Sequence, residues 1–183
     1  MRVISGSARS LRLVVPEGLE VRPTIDRYKE TVFNILNQQV PGALVLDLFA
    51  GSGANGIEAL SRGASEAVFV ENGFMAIAAI EENLKFTKLF EKATLMKYDY
   101  TRALTDLKDQ GRKFDVIYMD PPFDQGFENH ALSLIMDNGL LAEDGIIVCE
   151  SDKLTEIDFG DKPYELYKEK AYKTCKFSFI RAL

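Results

Sequence analysis

Residues 44–56 read Leu44-Val45-Leu46-Asp47-Leu48-Phe49-Ala50-Gly51-Ser52-Gly53-Ala54-Asn55-Gly56. The first six form a compact apolar strand interrupted by one acid, Asp47. Gly51, Gly53 and Gly56 then satisfy G-x-G-x-x-G at the junction of that strand with a helix expected from Asn55 to Arg62 and stopped by Gly63. A second strand is expected from Ala67 to Glu71, and Glu71 follows Gly51 by 20 residues. This is the full spacing of a nucleotide-binding turn. Glycines let the backbone bend sharply and approach a ligand, and a carboxylate ending the next strand can accept from two ribose hydroxyls.

Outward from this turn, strands and helices alternate. Helices are expected at Phe74–Phe86, with Ile77, Ile80 and Leu84 on one face, at 101–109 with Thr101 as candidate cap, and at 127–138, closed by Gly139. Strands are expected at 93–98, 114–119 and 146–150, and two more between Tyr164 and Ala182. Ahead of the turn, Thr24 is a plausible N-cap for a helix reaching Gln39, before Pro41-Gly42. Arg2 to Val15 reads as a short hairpin around Ser5-Gly6-Ser7. Strand–helix–strand at this spacing predicts a doubly wound α/β domain with a mostly parallel, Rossmann-like sheet. We divide the chain into an N-terminal hairpin extension, 1–22, and a main domain, 23–183. Ligands of such sheets bind beyond the carboxyl ends of the strands.

Composition narrows the function. Of 183 residues, 46% are hydrophobic and 27% charged, as in a soluble globular domain. Cys149 and Cys175 form no CxxC pattern, and His130 is the single histidine, which argues against a disulfide scaffold and a metal site. No signal peptide or long apolar run is visible, so a cytoplasmic protein away from membranes is expected. The net charge of −6 excludes a uniformly basic coat. It is unevenly spread: residues 1–30 and 162–183 together carry +6, and the middle carries −12.

Acids stand where the strands end. Asp47 would oppose a pyrophosphate at the helix N-terminus. It suits a cofactor with a cationic amino-acid portion, and S-adenosylmethionine carries an ammonium and a sulfonium and no phosphate. Asp99 could accept from an adenine amino group, or cap the following helix. The fourth strand runs into Asp120-Pro121-Pro122-Phe123. Two prolines hold the backbone rigid and leave its carbonyls free to accept. With the Asp120 carboxylate and an aromatic face, the set is shaped for a planar group bearing NH₂. Positioning and electrostatics would carry most of a methyl transfer to such an amine.

Asp120-Pro121-Pro122-Phe123 resembles the [D/N]PP[Y/F] motif of amino-group methyltransferases that use S-adenosylmethionine. Arg2-Val3-Ile4-Ser5-Gly6, Arg22-Pro23-Thr24, Asp26-Arg27, Phe33-Asn34-Ile35-Leu36, the segment from Leu46 to Gly53 and that from Glu58 to Ala64 resemble the RsmD group, the bacterial 16S rRNA guanine-N2 methyltransferases. The resemblance covers essentially the whole chain. It implies a seven-stranded sheet with an antiparallel last strand, and methylation of a guanine amine of 16S rRNA within a small-subunit assembly particle. It implies that Asp120, Pro121 and Pro122 hold the amine and that Phe123 stacks on the base. Asp47, Gly51 and Gly53 would surround the methionine part, Glu71 the ribose and Asp99 the adenine. Thr24, Phe49, Asn72 and Tyr100 complete the candidate cofactor set. The chain departs from the group at Phe123, commonly Tyr, at Ser10-Leu11, often Gly-Arg, and at Asn55, commonly apolar.

The candidate RNA contacts are Arg2, Arg9, Arg12 and Arg22 at one end, and Lys173 and Lys176 at the other, with Lys170, Tyr172 and Phe177 interleaved. Exposed lysines also protect an edge strand from aggregation, so the tail has two readings. Adenine N6 and a glutamine amide are other planar amines for the same site. A nicotinamide-dependent oxidoreductase would explain the glycines and Glu71, but not Asp47 or the proline pair.

Overall fold

The computed structural model describes residues 1–16, 23–123 and 125–183. Arg22 lies outside the described residues, and of Thr24 the backbone alone is described, in the first helix. The elements are α1 (Pro23–Ile35), β1 (Leu44–Leu48), α2 (Ala54–Ser61), β2 (Glu66–Val70), α3 (Phe74–Thr87), β3 (Ala93–Met96), α4 (Tyr100–Asp109), β4 (Phe114–Met119), α5 (Phe127–Asp137), β5 (Leu141–Asp152), β6 (Tyr164–Ala171) and β7 (Cys175–Ala182).

The strands form one seven-stranded sheet in the order β3-β2-β1-β4-β5-β7-β6. β1 to β5 pair in parallel. β7 runs antiparallel to β5, and β6 antiparallel to β7, so β7 alone among the described strands opposes the rest. The order reverses between β1 and β4, and the crevice beyond their carboxyl ends is where such a sheet takes its ligand. Asp47 lies in one of these strands and Asp120 directly follows the other.

Both faces of the sheet are covered, which is why the central strands read as nearly unbroken apolar runs. Val45, Ala67, Phe69, Val116 and Val148 pack against Phe33 of α1, Ile57 and Leu60 of α2 and Ile80 of α3. Leu46, Leu48, Val68, Ile117 and Ile147 pack against Leu104 of α4 and Leu132 and Ile135 of α5. The third fingerprint glycine sets how closely α2 can lie. A Cβ at Gly56 would come 2.3 Å from Cε1 of the fully buried Phe69.

Four local features differ from the sequence reading. α1 ends at Ile35, and residues 36–40 continue as turns that turn Leu36 and Val40 inward. β5 begins at Leu141, five residues early, because a register shift between Phe114 and Val116 absorbs the extra residues. Asp99, not Thr101, caps α4. Its Oδ1 accepts from the Thr101 backbone N–H at 2.8 Å and from the Thr101 hydroxyl at 2.6 Å. The N-terminal segment is a hairpin-like arm with a single antiparallel bridge, Arg2 to Arg12, rather than a pair of strands.

That arm is docked on the main domain. Val3, Ala8 and Leu13 join the core on the α1–α3 side. The fully buried Glu58 of α2 accepts from the backbone N–H groups of Ile4 (2.7 Å) and Ser5 (3.1 Å) and from Arg62 Nε (2.7 Å). Buried Lys29 of α1 donates to the Arg2 carbonyl at 2.7 Å and stands 3.6 Å from Glu58 Oε2. Asn83 of α3 accepts from Val14 N–H and donates to the Val14 and Ser52 carbonyls. Ion pair and hydrogen bonds together satisfy polar groups that would be costly to bury alone.

Candidate active site

Two cavities meet at the β1–β4 crevice, with Phe49 in the wall of both. Phe49 adopts φ of +66°, an uncommon conformation for a bulky residue and a cost of about 1–3 kcal/mol that the surrounding structure must hold. Its ring lies 4.8 Å from that of Tyr100 and is stacked with Phe127 at 6.3 Å.

The first cavity, of about 250 Å³, is lined by Phe49, Val70, Glu71, Asn72, Tyr98, Asp99, Tyr100, Pro122 and Phe127. Glu71, Asn72, Asp99, Tyr100 and Phe49, drawn from distant parts of the sequence, are thus brought together. Glu71 Oε2 accepts from Gly51 N–H at 2.8 Å, and Oε1 accepts from the N–H groups of Asn72 and Gly73. Tyr100 is oriented by a 2.7 Å hydrogen bond between its hydroxyl and His130 Nδ1.

The second cavity, of about 220 Å³, is lined on one side by the turn after β1, from Phe49 to Asn55 without Gly53. Asp120, Tyr118, Glu150, Lys29, Tyr28, Phe177, Met1 and Val15 close it. Beneath the turn, Asp47 is 1% exposed. Its Oδ2 accepts from Gly56 N–H at 2.8 Å, and its Oδ1 has no partner. Burial pushes the Asp47 carboxyl up to about 8, against the Gly56 hydrogen bond. Asp120 is half-buried at the end of β4, and desolvation raises it to about 7. Lys29 is pushed down by burial, opposed by the charge of Glu58.

Among the described lining and underlying groups, three acids with one lysine make this end of the sheet receptive to a cation. The unpartnered Asp47 oxygen is the clearest mark of it, because a buried polar atom without a partner is uncommon and costly. Gly56 N–H belongs to the helix N-terminus that would bind a pyrophosphate, and Asp47 already occupies it. The donor set therefore fits the cationic methionine end of S-adenosylmethionine and disfavours a dinucleotide.

The proline pair divides between the surfaces. Pro121 is buried, and the exposed Pro122 lines the first cavity. Phe123 packs, partly buried, against the core on the α1–α3 side and lines neither cavity. Gly53, with φ of +77°, shapes the turn without lining a cavity.

The two basic ends of the chain flank the second cavity, which Met1 and Phe177 both line. Arg2, Arg9, Arg12 and Lys173 are exposed. Arg2 stands 3.6 Å from Asp26, and Lys176 is paired with Glu169 at 3.0 Å with its side chain 13% exposed. Phe177 is buried, and Tyr172 packs on Tyr28 with ring centroids 3.9 Å apart, so neither aromatic ring stands out into solvent. Sequence reasoning missed Glu150, Tyr118 and Lys29. Glu150 carried the signal used elsewhere, an acid at the carboxyl end of a parallel strand.

Comparison with known proteins places this arrangement. The family described as "Conserved hypothetical protein 95" matches residues 1–181. The chain is 41% identical over 157 residues to "Putative rRNA methyltransferase YlbH" of Bacillus subtilis, covering 86% of this chain and 85% of that protein. It is 35% identical over 170 residues to "Ribosomal RNA small subunit methyltransferase D" of Escherichia coli, covering 93% and 84%. A solved structure from Escherichia coli, "Putative methyltransferase yhhF", superposes with a TM-score of 0.85 at 32% identity, over 100% of this chain and 97% of that one. The chain belongs to the conserved hypothetical protein 95 family, the RsmD family of rRNA methyltransferases.

Proposed function

We propose that this protein transfers a methyl group from S-adenosylmethionine to the exocyclic N2 amine of a guanine in small-subunit rRNA. The observation that carries the reading is the placement of Asp120. It follows β4 beside a rigid proline pair, and it faces the cavity walled by the turn that covers buried Asp47.

Glu71, Asn72, Asp99 and Tyr100 would hold the adenosine part in the first cavity. Asp47 and the Gly51 turn would hold the methionine part. When bound, S-adenosylmethionine supplies a methyl group on a sulfonium and leaves as a neutral thioether. The Asp120 carboxylate and a carbonyl of the proline pair accept the two amine hydrogens, which aims the nitrogen lone pair. Fixing this geometry in advance is how the chain lowers the barrier. Phe123 would reach the base by its ring edge or after a side-chain turn, since it packs against the core.

A guanine must leave its stack to enter the cavity, at a cost of a few kcal/mol. Arg2, Arg9 and Arg12 on the arm and Lys173 at the β6–β7 turn are exposed and would offer phosphate contacts that offset that cost. The modest basic charge at these two ends favours a structured particle, the small subunit during assembly, over bare RNA. The chain's relatives carry small-subunit rRNA in their names, which supports this substrate.

The test is methyl transfer in vitro. Purified protein, labelled S-adenosylmethionine and small subunits from cells lacking this gene are combined, and the rRNA is digested to nucleosides. Label in N2-methylguanosine is expected. Label in N6-methyladenosine or in ribosomal protein would refute the reading.

A further inference from the structure

β4 and β5 bring two carboxylates together. The parallel register pairs Met119 with Cys149, so Asp120, just past the end of β4, and Glu150, inside β5, follow side by side, and both line the second cavity. Asp47 stands under the same turn. Among the described lining residues Lys29 is the one side-chain cation, and it is engaged by the Arg2 carbonyl and Glu58 on the far side. Two adjacent anions are unfavourable in a partly desolvated site, and such a pair settles by sharing a proton.

We propose that Glu150 is a positioning residue that shares one proton with Asp120, so that the pair keeps one carboxylate free to accept the proton released by the methylated amine. This rests on methyl transfer at Asp120. In the transfer, the amine nitrogen forms the new N–C bond and the S–C electron pair leaves with sulfur. The nitrogen then gives one proton to Asp120, which passes it to solvent, while the proton shared with Glu150 stays in the pair.

Tyr118 of β4, Asp120 just beyond it and Cys175 of β7 face Glu150, and Lys29 of α1 lines the same cavity. Burial and the Asp120 charge raise the Glu150 carboxyl, while hydrogen bonds with Cys175 and Tyr118 oppose the rise. Desolvation raises Asp120 as well. The two carboxylates therefore titrate as a pair that keeps one proton between them.

The experiment measures single-turnover methyl transfer to small subunits from pH 6 to 10 in wild type, Glu150→Gln and Glu150→Ala. The wild-type rate should rise as the pair loses its first proton and fall as it loses its second. Glutamine imitates the protonated acid, so Glu150→Gln should recover most of the rate that Glu150→Ala loses, a loss of about 10²-fold. It should also abolish the alkaline fall. An alkaline fall that persists in Glu150→Gln, or a Glu150→Gln rate as low as that of Glu150→Ala, would overturn the inference and leave the function standing. A wild type that transfers no methyl group would overturn both.

Discussion

The backbone N–H of Gly51 donates a 2.8 Å hydrogen bond to Glu71 Oε2, tying the turn after β1 to the end of β2. The other oxygen of Glu71 accepts from Asn72 and Gly73, so one carboxylate fixes two ligand-facing loops before any ligand arrives. One acceptor position, on Oε2, is left for the proposed ribose contact. Glu71→Ala should therefore cost more than a lost ligand contact. Affinity for S-adenosylhomocysteine should fall by about 10- to 100-fold, as for loss of a charge-assisted bond plus a loosened loop. Calorimetric titration checks this, and unchanged affinity would remove Glu71 from the cofactor site.

The role proposed for Asp120 lies in the reaction and not in cofactor binding. Asp120→Ala should lower methyl transfer by about 10²- to 10³-fold, the usual cost of losing one preorganised polar group. Affinity for S-adenosylhomocysteine should stay within a few-fold. Loss of cofactor binding in this variant would contradict the assignment.

The role proposed for Asp47 predicts pH-dependent cofactor binding. Its carboxyl has an ordinary value of 3.8 and is raised to about 8 in the folded protein. The free protein thus holds a proton there that the unfolded chain has lost, and its stability falls as pH rises between those values. An ammonium docked on Asp47 requires the ionised form, so binding should release a proton below about pH 8 and tighten as pH rises toward it. Titrations in two buffers of different ionisation enthalpy measure the released proton. Asp47→Asn should abolish the release. A pH-independent wild-type affinity would contradict the account.

Glu58 anchors the arm. Glu58→Ala would leave the buried ammonium of Lys29 without its partner and the Ile4 and Ser5 N–H groups without an acceptor. Breaking a buried pair from one side costs about 3–5 kcal/mol. Denaturant unfolding should show a loss of that order. A double variant that also replaces Lys29 with Met should recover part of it, and an unaltered midpoint in Glu58→Ala would show that the anchor is weak.

How far the sequence revealed this protein depended on the range of the interaction. The β1 turn was legible because its glycines answer to local backbone geometry, and β4 was legible to the residue because its apolar run is bounded by Lys113 and Pro121. The start of β5 was not, since Leu141 enters the sheet through a bulge against β4 that no local pattern records. Asp99 and Thr101 both suit a cap, and only the observed hydrogen bonds chose between them. Within the site, the acids at the ends of the first four strands stood out. Glu150 carried the same signal, at the end of the expected strand 146–150, but its pairing with Asp120 depends on the β4–β5 register, which no local pattern records. Phe123 reads as an aromatic face for a base, yet its packing against the core is set by side chains remote in sequence.

The central claim is that this chain methylates a guanine amine of small-subunit rRNA. Nucleoside mass spectrometry of that rRNA, from cells with the gene, without it, and complemented with Asp120→Ala, tests it most directly. The account predicts that one N2-methylguanosine disappears on deletion, returns with the wild-type gene, and does not return with the variant. An unchanged N2-methylguanosine inventory in the deletion strain would contradict it.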